Sequence, residues 1–195
     1  MAHVAITRLL LALCLAIVGI ADRCWAAERR VALVVGAAKY AHASALAHTL
    51  NDARDTAAAL QRLGFKVDLV LDPDRASLEA AVRRLGETSR GADTSLFYYS
   101  GHAIESRGVN WVLPVSAHVQ SDRDVRFEAL DLSAVLEQIE GLARVSLIFL
   151  DACRDDPFKE RPGAVRVITR SGLAAFNATV SGSFLAFATA PGMVA

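Results

Sequence analysis

Two residues in this chain have side chains that could act together as a nucleophile and a base. Cys153 stands in the stretch "LIFLDACRDD", and His102 stands 51 residues earlier in "SLFYYSGHA". A thiol must lose its proton before it attacks a carbonyl carbon, and an imidazole nearby can take that proton or stabilise the thiolate. Backbone N–H groups at Cys153 and around Ala103 could then hold the oxyanion that forms. These residue types predict acyl transfer with a cysteine nucleophile.

Both residues directly follow apolar runs that are typical of buried strands. Residues 95–99 predict one strand, which a Ser-Gly break separates from His102, so that the histidine is expected where a loop begins. Residues 145–150 predict a second strand, which ends just before Asp151-Ala-Cys153. In open α/β sheets the ligand site lies beyond the carboxyl ends of the strands. We therefore expect both side chains at the same edge of one sheet.

The rest of the chain predicts strands that alternate with helices. Further strands are expected at 30–36, 66–71, 109–113 and 183–189. The first helix is expected to begin at a cap, Asn51 or Asp52, and to end at Gly64, with an apolar stripe of Ala53, Ala57, Leu60 and Leu63. The later helices are expected at about 77–85 and around Leu132, Val135, Leu136 and Ile139. This order predicts an α/β fold: a mostly parallel sheet flanked by helices on both faces.

The composition indicates one globular domain behind a removable leader. The 195 residues are 53% apolar and 22% charged, which suffices for one sizeable core. Residues 1–26 have the features of a secretory signal: Arg8 precedes the apolar segment 9–20, and Cys24-Trp-Ala26 supplies a cleavage site. A membrane anchor is the alternative, but about 12 apolar residues fall short of the roughly 20 that span a bilayer. We expect residues 27–195 to form one exported domain, periplasmic or secreted, without stable membrane insertion after cleavage.

Removal of the leader would change the charge and the cysteine count. The leader contains two arginines and one aspartate, so a formal net charge of zero becomes −1, which gives no attraction to nucleic acid. Cys14 and Cys24 would leave with it, so Cys153 would remain as the only thiol and no disulfide could form within the chain. A lone thiol in an oxidising compartment is either a reactive group or a small buried hydrophobic side chain. The position of Cys153 after a buried strand favours the reactive group.

No metal or other cofactor is expected at this site. His42, His48 and His118 lie in predicted loops, and their spacing does not form a metal-ligand set. A Gly-x-Ser-x-Gly motif does not occur, which argues against a serine hydrolase on a similar sheet.

The stretch "FYYSGHA", followed 51 residues later by "LIFLDACRDDPF", resembles the caspase-like cysteine peptidases, and most closely their bacterial and metacaspase branch. The resemblance extends over residues 30–195 and includes "RVALVVG", "NDARDTAAAL" and "SFLAFATAPG". A histidine about 50 residues before an Ala-Cys signature is the known caspase spacing. The resemblance implies a caspase-hemoglobinase-like fold in a p20-type catalytic domain, a catalytic dyad of His102 and Cys153, and peptides or proteins as substrates.

The residues beside the dyad suggest the substrate preference. Caspases that cut after aspartate carry glutamine before Ala-Cys, whereas this chain has Asp151, and a carboxylate beside the nucleophile favours a cationic side chain. The resemblance to metacaspases also assigns Asp52 and Ser100 to this pocket, which implies cleavage after Arg or Lys. Each has an alternative role: Asp52 could serve only the N-terminus of its helix, Ser100 could cap its strand, and Asp151 could pair with Arg154.

A catalytically inactive caspase-like module that binds peptides or proteins is the alternative function. Ala103 follows the histidine where the family usually has glycine, and alanine resists a positive φ. The chain also stops at "TAPGMVA", where family members continue through a further strand and helices, so the fold is expected to be truncated at the C-terminus. Truncation favours the binding module, whereas the presence of both dyad residues favours the peptidase.

Two further expectations concern the segment after the nucleophile. Calcium activates many metacaspases, and Asp155 and Asp156 could bind it, but two adjacent acids in a loop are weak support for a site. Basic residues are frequent between 159 and 170, where we predict self-cleavage after Arg161, Arg166 or Arg170. The sequence makes no prediction of the oligomeric state.

Overall fold

The apolar strands of the chain assemble into one sheet. A computed structural model describes residues 28–153, 157–158 and 182–187, with the backbone alone for Cys153 and Phe187. In this part of the chain the strands are β1 (Arg30–Gly36), β2 (Phe65–Leu71), β3 (Ala92–Ser106), β4 (Val109–Val112), β5 (Leu130–Asp131), β6 (Ala143–Cys153) and β7 (Ser183–Phe187). Five strands are parallel in the order β2-β1-β3-β6-β7, and β4 and β5 extend the sheet antiparallel from the second half of β3.

Helices cover both faces of the parallel strands. The described helices are α1 (Thr49–Arg62), α2 (Arg75–Ser89), α3 (Val125–Glu128) and α4 (Leu132–Ile139). Alternate residues of β1 enter different cores: Leu33 and Val35 pack with buried residues of α2 and α4, whereas Val34 packs with those of α1. The predicted α/β class, a mostly parallel sheet between helices, is confirmed. None of the helices in the described ranges is long and apolar enough to cross a membrane.

Several predicted helix ends are wrong. α1 begins at Thr49, and its N-cap residue His48 makes no side-chain cap, so Asp52 lies in the first turn and does not cap the helix. Leu63, predicted on the apolar stripe, follows the helix and is 60% exposed. α2 begins earlier than predicted because the carboxylate of Asp74 accepts the N–H of Ser77 at 2.8 Å. The short elements α3 and β5 were not predicted, and residues 188–189 of the last predicted strand lie outside the described residues.

The largest correction concerns the strand that carries the histidine. The sequence predicted a break at Ser100-Gly101, but β3 continues through both residues and ends only at Ser106. The backbone φ of Gly101 is not positive, so this glycine makes no turn. After His102 the strand gains a new neighbour, because Ala103 to Ser106 pair with β4. β6 likewise extends beyond its predicted end to Cys153, its last residue, so the histidine and the cysteine both belong to strands.

Candidate active site

The pairing of β3 with β6 brings the predicted residues of the site together. In the parallel register Ser100 lies opposite Asp151, and His102 lies opposite Cys153. Neighbouring strands are about 4.8 Å apart, so the two main chains are adjacent at both positions. The register therefore places the two predicted site residues side by side, although β3 itself continues beyond His102 to Ser106.

The ring of His102 is oriented by a backbone carbonyl. The side chain is buried, and its Nε2 lies 2.8 Å from the carbonyl oxygen of Ser44 and 3.4 Å from the hydroxyl of the same residue. A carbonyl oxygen can only accept a hydrogen bond, so Nε2 carries the proton. In the neutral ring Nδ1 is then the basic nitrogen.

A tyrosine hydroxyl joins the side chains around Asp151. The hydroxyl of Tyr98 donates to the carboxylate of Asp151 at 3.2 Å, and the side chains of Thr56 and Ser100 approach the same hydroxyl. Burial raises the pKa of Tyr98; hydrogen bonding from Thr56 opposes this, and the negative charge of Asp151 raises the pKa further. The phenol therefore stays protonated and remains a donor to Asp151.

Asp52 lies on α1, one helical turn before Thr56. Residues four positions apart share a helix face, so Asp52 lies on the face that reaches Tyr98. Its side chain is half-buried and makes no hydrogen bond or ion pair with the residues that the structure describes. Ser100 is buried inside β3 and not at a strand end. Arg154, the alternative partner of Asp151, lies outside the described residues.

The N–H of Ala103 lies on the side of β3 that faces β6. The N–H of Leu113 donates to the carbonyl of His102 at 3.0 Å, which places that carbonyl on the opposite edge, beside β4. Successive N–H groups of a strand point to opposite edges, so the N–H of Ala103 is directed towards the edge along which β6 runs. Ala103 has no positive φ, so alanine adopts this backbone without strain.

The remaining predicted residues are not part of this cluster. The rings of His42 and His118 are stacked with centroids 4.1 Å apart, and His48 precedes α1. Among the described residues, no group of three or more histidine, cysteine or acidic side chains could hold a metal ion. The possible calcium ligands and the predicted self-cleavage positions lie outside the described residues: Asp155, Asp156, Arg161, Arg166 and Arg170.

Three residues of this site were not predicted from the sequence. Ser44 contributes through its main-chain carbonyl, which every residue type possesses, so no sequence signal could have identified it. The sequence predicts Tyr98 only as part of the buried strand, although its position two residues before Ser100 and four before His102 puts all three on one face of β3. Thr56, one turn after Asp52 on α1, has the same kind of positional signal.

Comparison with known proteins identifies one family. A sequence model described as Peptidase_C14, caspase domain, matches residues 29–195. Among solved structures, the crystal structure of protein GSU0716 from Geobacter sulfurreducens is 19% identical with a TM-score of 0.49, and the match covers 65% of this chain and 51% of that chain. The chain thus matches about half the length of that protein. No curated protein shows significant similarity.

Proposed function

We propose, because the chain belongs to the caspase domain family of peptidases, that it is a cysteine endopeptidase with Cys153 as nucleophile and His102 as base. The observation that carries this proposal is the register of β3 and β6, in which the two residues are opposite one another. The hydrogen bond from Nε2 to Ser44 supports it further, since it leaves Nδ1 as the basic nitrogen. Residues 27–195 would form the catalytic domain.

In this mechanism the imidazole moves one proton in each half-reaction. His102 takes the thiol proton, and the thiolate of Cys153 attacks the carbonyl carbon of the scissile peptide bond. The N–H groups of Ala103 and Cys153 stabilise the oxyanion, and the imidazolium then donates its proton to the leaving amine. A thioester remains. Water, deprotonated by His102, attacks the thioester and releases the carboxylate product, and the thiol is restored. The carbonyl of Ser44 holds the Nε2 proton throughout and stabilises the imidazolium.

The proposed substrates have Arg or Lys before the scissile bond. The acidic groups Asp52 and Asp151 would provide the negative charge of the pocket, and Ser100 would add a hydroxyl. The half-buried carboxylate of Asp52, which has no partner among the described residues, supports this assignment. The hydrogen bond from Tyr98 would keep the carboxylate of Asp151 in place while one of its oxygens receives the substrate cation.

We propose that the enzyme acts outside the cytoplasm, because residues 1–26 have the sequence features of a secretory leader, and that it acts on peptides or proteins without a cofactor. Self-cleavage after Arg161, Arg166 or Arg170 belongs to the same proposal, because a pocket for basic residues would accept these sites. An intact band after prolonged incubation of active enzyme would contradict self-cleavage.

The test is hydrolysis of two fluorogenic peptides that differ only in the last residue before the fluorophore, Arg or Asp. The full chain, its Cys153→Ala variant and a Cys24→Ala control are assayed with and without calcium. We expect cleavage of the Arg peptide by the chain and the control but not by Cys153→Ala. Preference for the Asp peptide would refute the acidic pocket. A folded protein that binds the Arg peptide without cleaving it would instead be the inactive caspase-like binding module.

A further inference from the structure

The main chain of His102 is held by two buried tyrosine hydroxyls. Its N–H donates to the hydroxyl of Tyr40 at 2.8 Å, and its carbonyl oxygen lies 2.9 Å from the hydroxyl of Tyr99. The two hydroxyl oxygens are 3.1 Å apart, and that of Tyr99 lies 2.7 Å from the carbonyl oxygen of Leu113. Both tyrosines are buried. The contacts therefore lie in a part of the core where water does not compete.

These contacts define one direction of hydrogen bonding. An N–H can only donate, so the oxygen of Tyr40 accepts from His102. Tyr99 faces two carbonyl oxygens, which can only accept, so Tyr40 is the donor between the two hydroxyls. The proton of Tyr99 is then directed to the carbonyl of Leu113 or of His102. Each hydroxyl in this chain both donates and accepts, and removal of either one leaves a buried polar partner unsatisfied.

Gly101 leaves the space that the hydroxyl pair occupies. A Cβ atom at this position would lie 2.5 Å from the hydroxyl oxygen of Tyr99 and 2.7 Å from that of Tyr40. Since the φ of Gly101 is not positive, close approach of the tyrosines explains the glycine before the histidine, and backbone conformation does not.

The segment 37–48 holds His102 at two further points. Tyr40 and Ser44 both lie in it: the carbonyl of Ser44 accepts from Nε2, and the ring of Tyr40 packs 4.6 Å from the imidazole centroid. The segment is itself anchored to the sheet, because the N–H of Ala37 donates to the carbonyl of Ser100 at 2.9 Å. Main chain and ring of the histidine are thus fixed by one segment.

We propose that Tyr40 is a positioning residue of the peptidase, which acts with Tyr99 through the main chain of His102. The hydroxyl of Tyr40 holds the main chain of the histidine in the position from which its ring reaches the carbonyl of Ser44. The ring therefore keeps its proton on Nε2, and Nδ1 remains the basic nitrogen. This inference rests on the proposed function, since it assigns the role through the base of the dyad.

The test uses the full chain and its Tyr40→Phe variant, which lacks only the hydroxyl. The matched control is Ser95→Ala, which removes another buried hydroxyl of β3, one hydrogen-bonded to Ser89 at 2.7 Å. We measure kcat and KM on the Arg peptide. We also measure how the alkylation of Cys153 by iodoacetamide depends on pH, by mass spectrometry of the proteolytic fragment that contains Cys153. Urea unfolding defines conditions in which every variant is folded.

We expect Tyr40→Phe to lower kcat by about 10- to 100-fold with little change in KM, and to raise the pH midpoint of alkylation. Tyr99→Phe should have a smaller effect in the same direction, and Ser95→Ala should lower stability alone. Unchanged kcat and alkylation in Tyr40→Phe would overturn the inference and leave the peptidase proposal intact. If the unsubstituted chain cleaves no peptide, the peptidase proposal fails, and the pH midpoint of alkylation alone then tests the positioning role of Tyr40. A shift of this midpoint in Tyr40→Phe supports the role, and an unchanged midpoint overturns it.

Discussion

His102 on β3 and Cys153 on β6 lie opposite one another in a parallel ladder. The pairing begins at Ala92 and Ala143 and continues without a change of register to the two site residues. Their separation is therefore set by main-chain hydrogen bonds along a buried sheet, which resist displacement more than a loop would. Neither residue depends on a flexible loop for its approach to the other.

Replacement of the base in this pair should abolish most of the activity without unfolding the protein. Gln in His102→Gln can still donate from its amide to the carbonyl of Ser44 but cannot take the thiol proton. Loss of general-base catalysis costs about 100- to 10,000-fold, which we expect in kcat/KM on the Arg peptide. Circular dichroism should match that of the unsubstituted chain. Activity within a few-fold of the original would show that another group is the base.

The acidic pocket should control affinity for the cationic substrate. In Asp151→Asn and Asp52→Asn a charge-assisted hydrogen bond to the substrate becomes neutral, which we expect to cost about 10- to 100-fold in kcat/KM for the Arg peptide, mainly through KM. The control is Glu137→Gln, an exposed carboxylate on α4, which should leave the kinetics unchanged. Equal KM values in all three variants would remove both aspartates from the pocket.

The sequence predicted the fold because the apolar runs alternate with amphipathic helices in a regular order. The same runs precede His102 and Cys153 on two parallel strands, which is enough to predict that their main chains lie side by side. The prediction was wrong for the local structure around Gly101. A Ser-Gly pair is typical of a turn, yet the glycine here is required by tyrosine side chains that approach it from one side. One of these tyrosines is distant in sequence, and a distant side chain leaves no local pattern.

A residue that contributes only through its main chain could not be predicted either. Ser44 orients the imidazole by its carbonyl oxygen, so the identity of its side chain carries no information at this position. The family's usual glycine at 103 raised the question of a left-handed backbone, which alanine would resist, but this strand does not have one.

Gly101→Ala should destabilise the protein and impair catalysis together. The new methyl group would lie within 2.7 Å of both tyrosine hydroxyls, and overpacking of this kind costs about 1–3 kcal/mol. The methyl group would displace the two tyrosine hydroxyls, and His102 would shift with them because its main chain is hydrogen-bonded to both. We therefore expect kcat to fall even under conditions in which the variant is fully folded. Removal of the hydroxyl of Tyr40 in a double variant should recover part of the stability. Equal urea midpoints for Gly101→Ala and the unsubstituted chain would contradict the close approach.

Ala103→Gly should bring no gain in activity. Alanine at this position is buried and has a regular strand backbone opposite Val112, so the substitution relieves no strain. It makes the unfolded chain more flexible, which we expect to lower the free energy of unfolding by about 0.5–1 kcal/mol. Ala32→Gly, at a buried position of β1, is the matched control for stability. A several-fold rise in kcat for Ala103→Gly alone would mean that alanine limits the enzyme.

The raised pKa of Tyr98 should make the protein sensitive to alkaline pH. Burial, with the charge of Asp151 as a further contribution, raises this pKa above the ordinary value of 10.0, so the folded state favours the neutral phenol. The stability from this preference is fully present below pH 10 and is lost as the pH rises through the folded-state pKa, because the unfolded chain releases the proton first. We expect the free energy of unfolding in urea to fall less steeply above pH 10 in Tyr98→Phe than in the unsubstituted chain. Asp151→Asn should give an intermediate slope, since it removes the charge but leaves the burial. Parallel curves for all three proteins would show that the phenol titrates alike in the folded and unfolded states, and would exclude its role as a protonated donor held against Asp151.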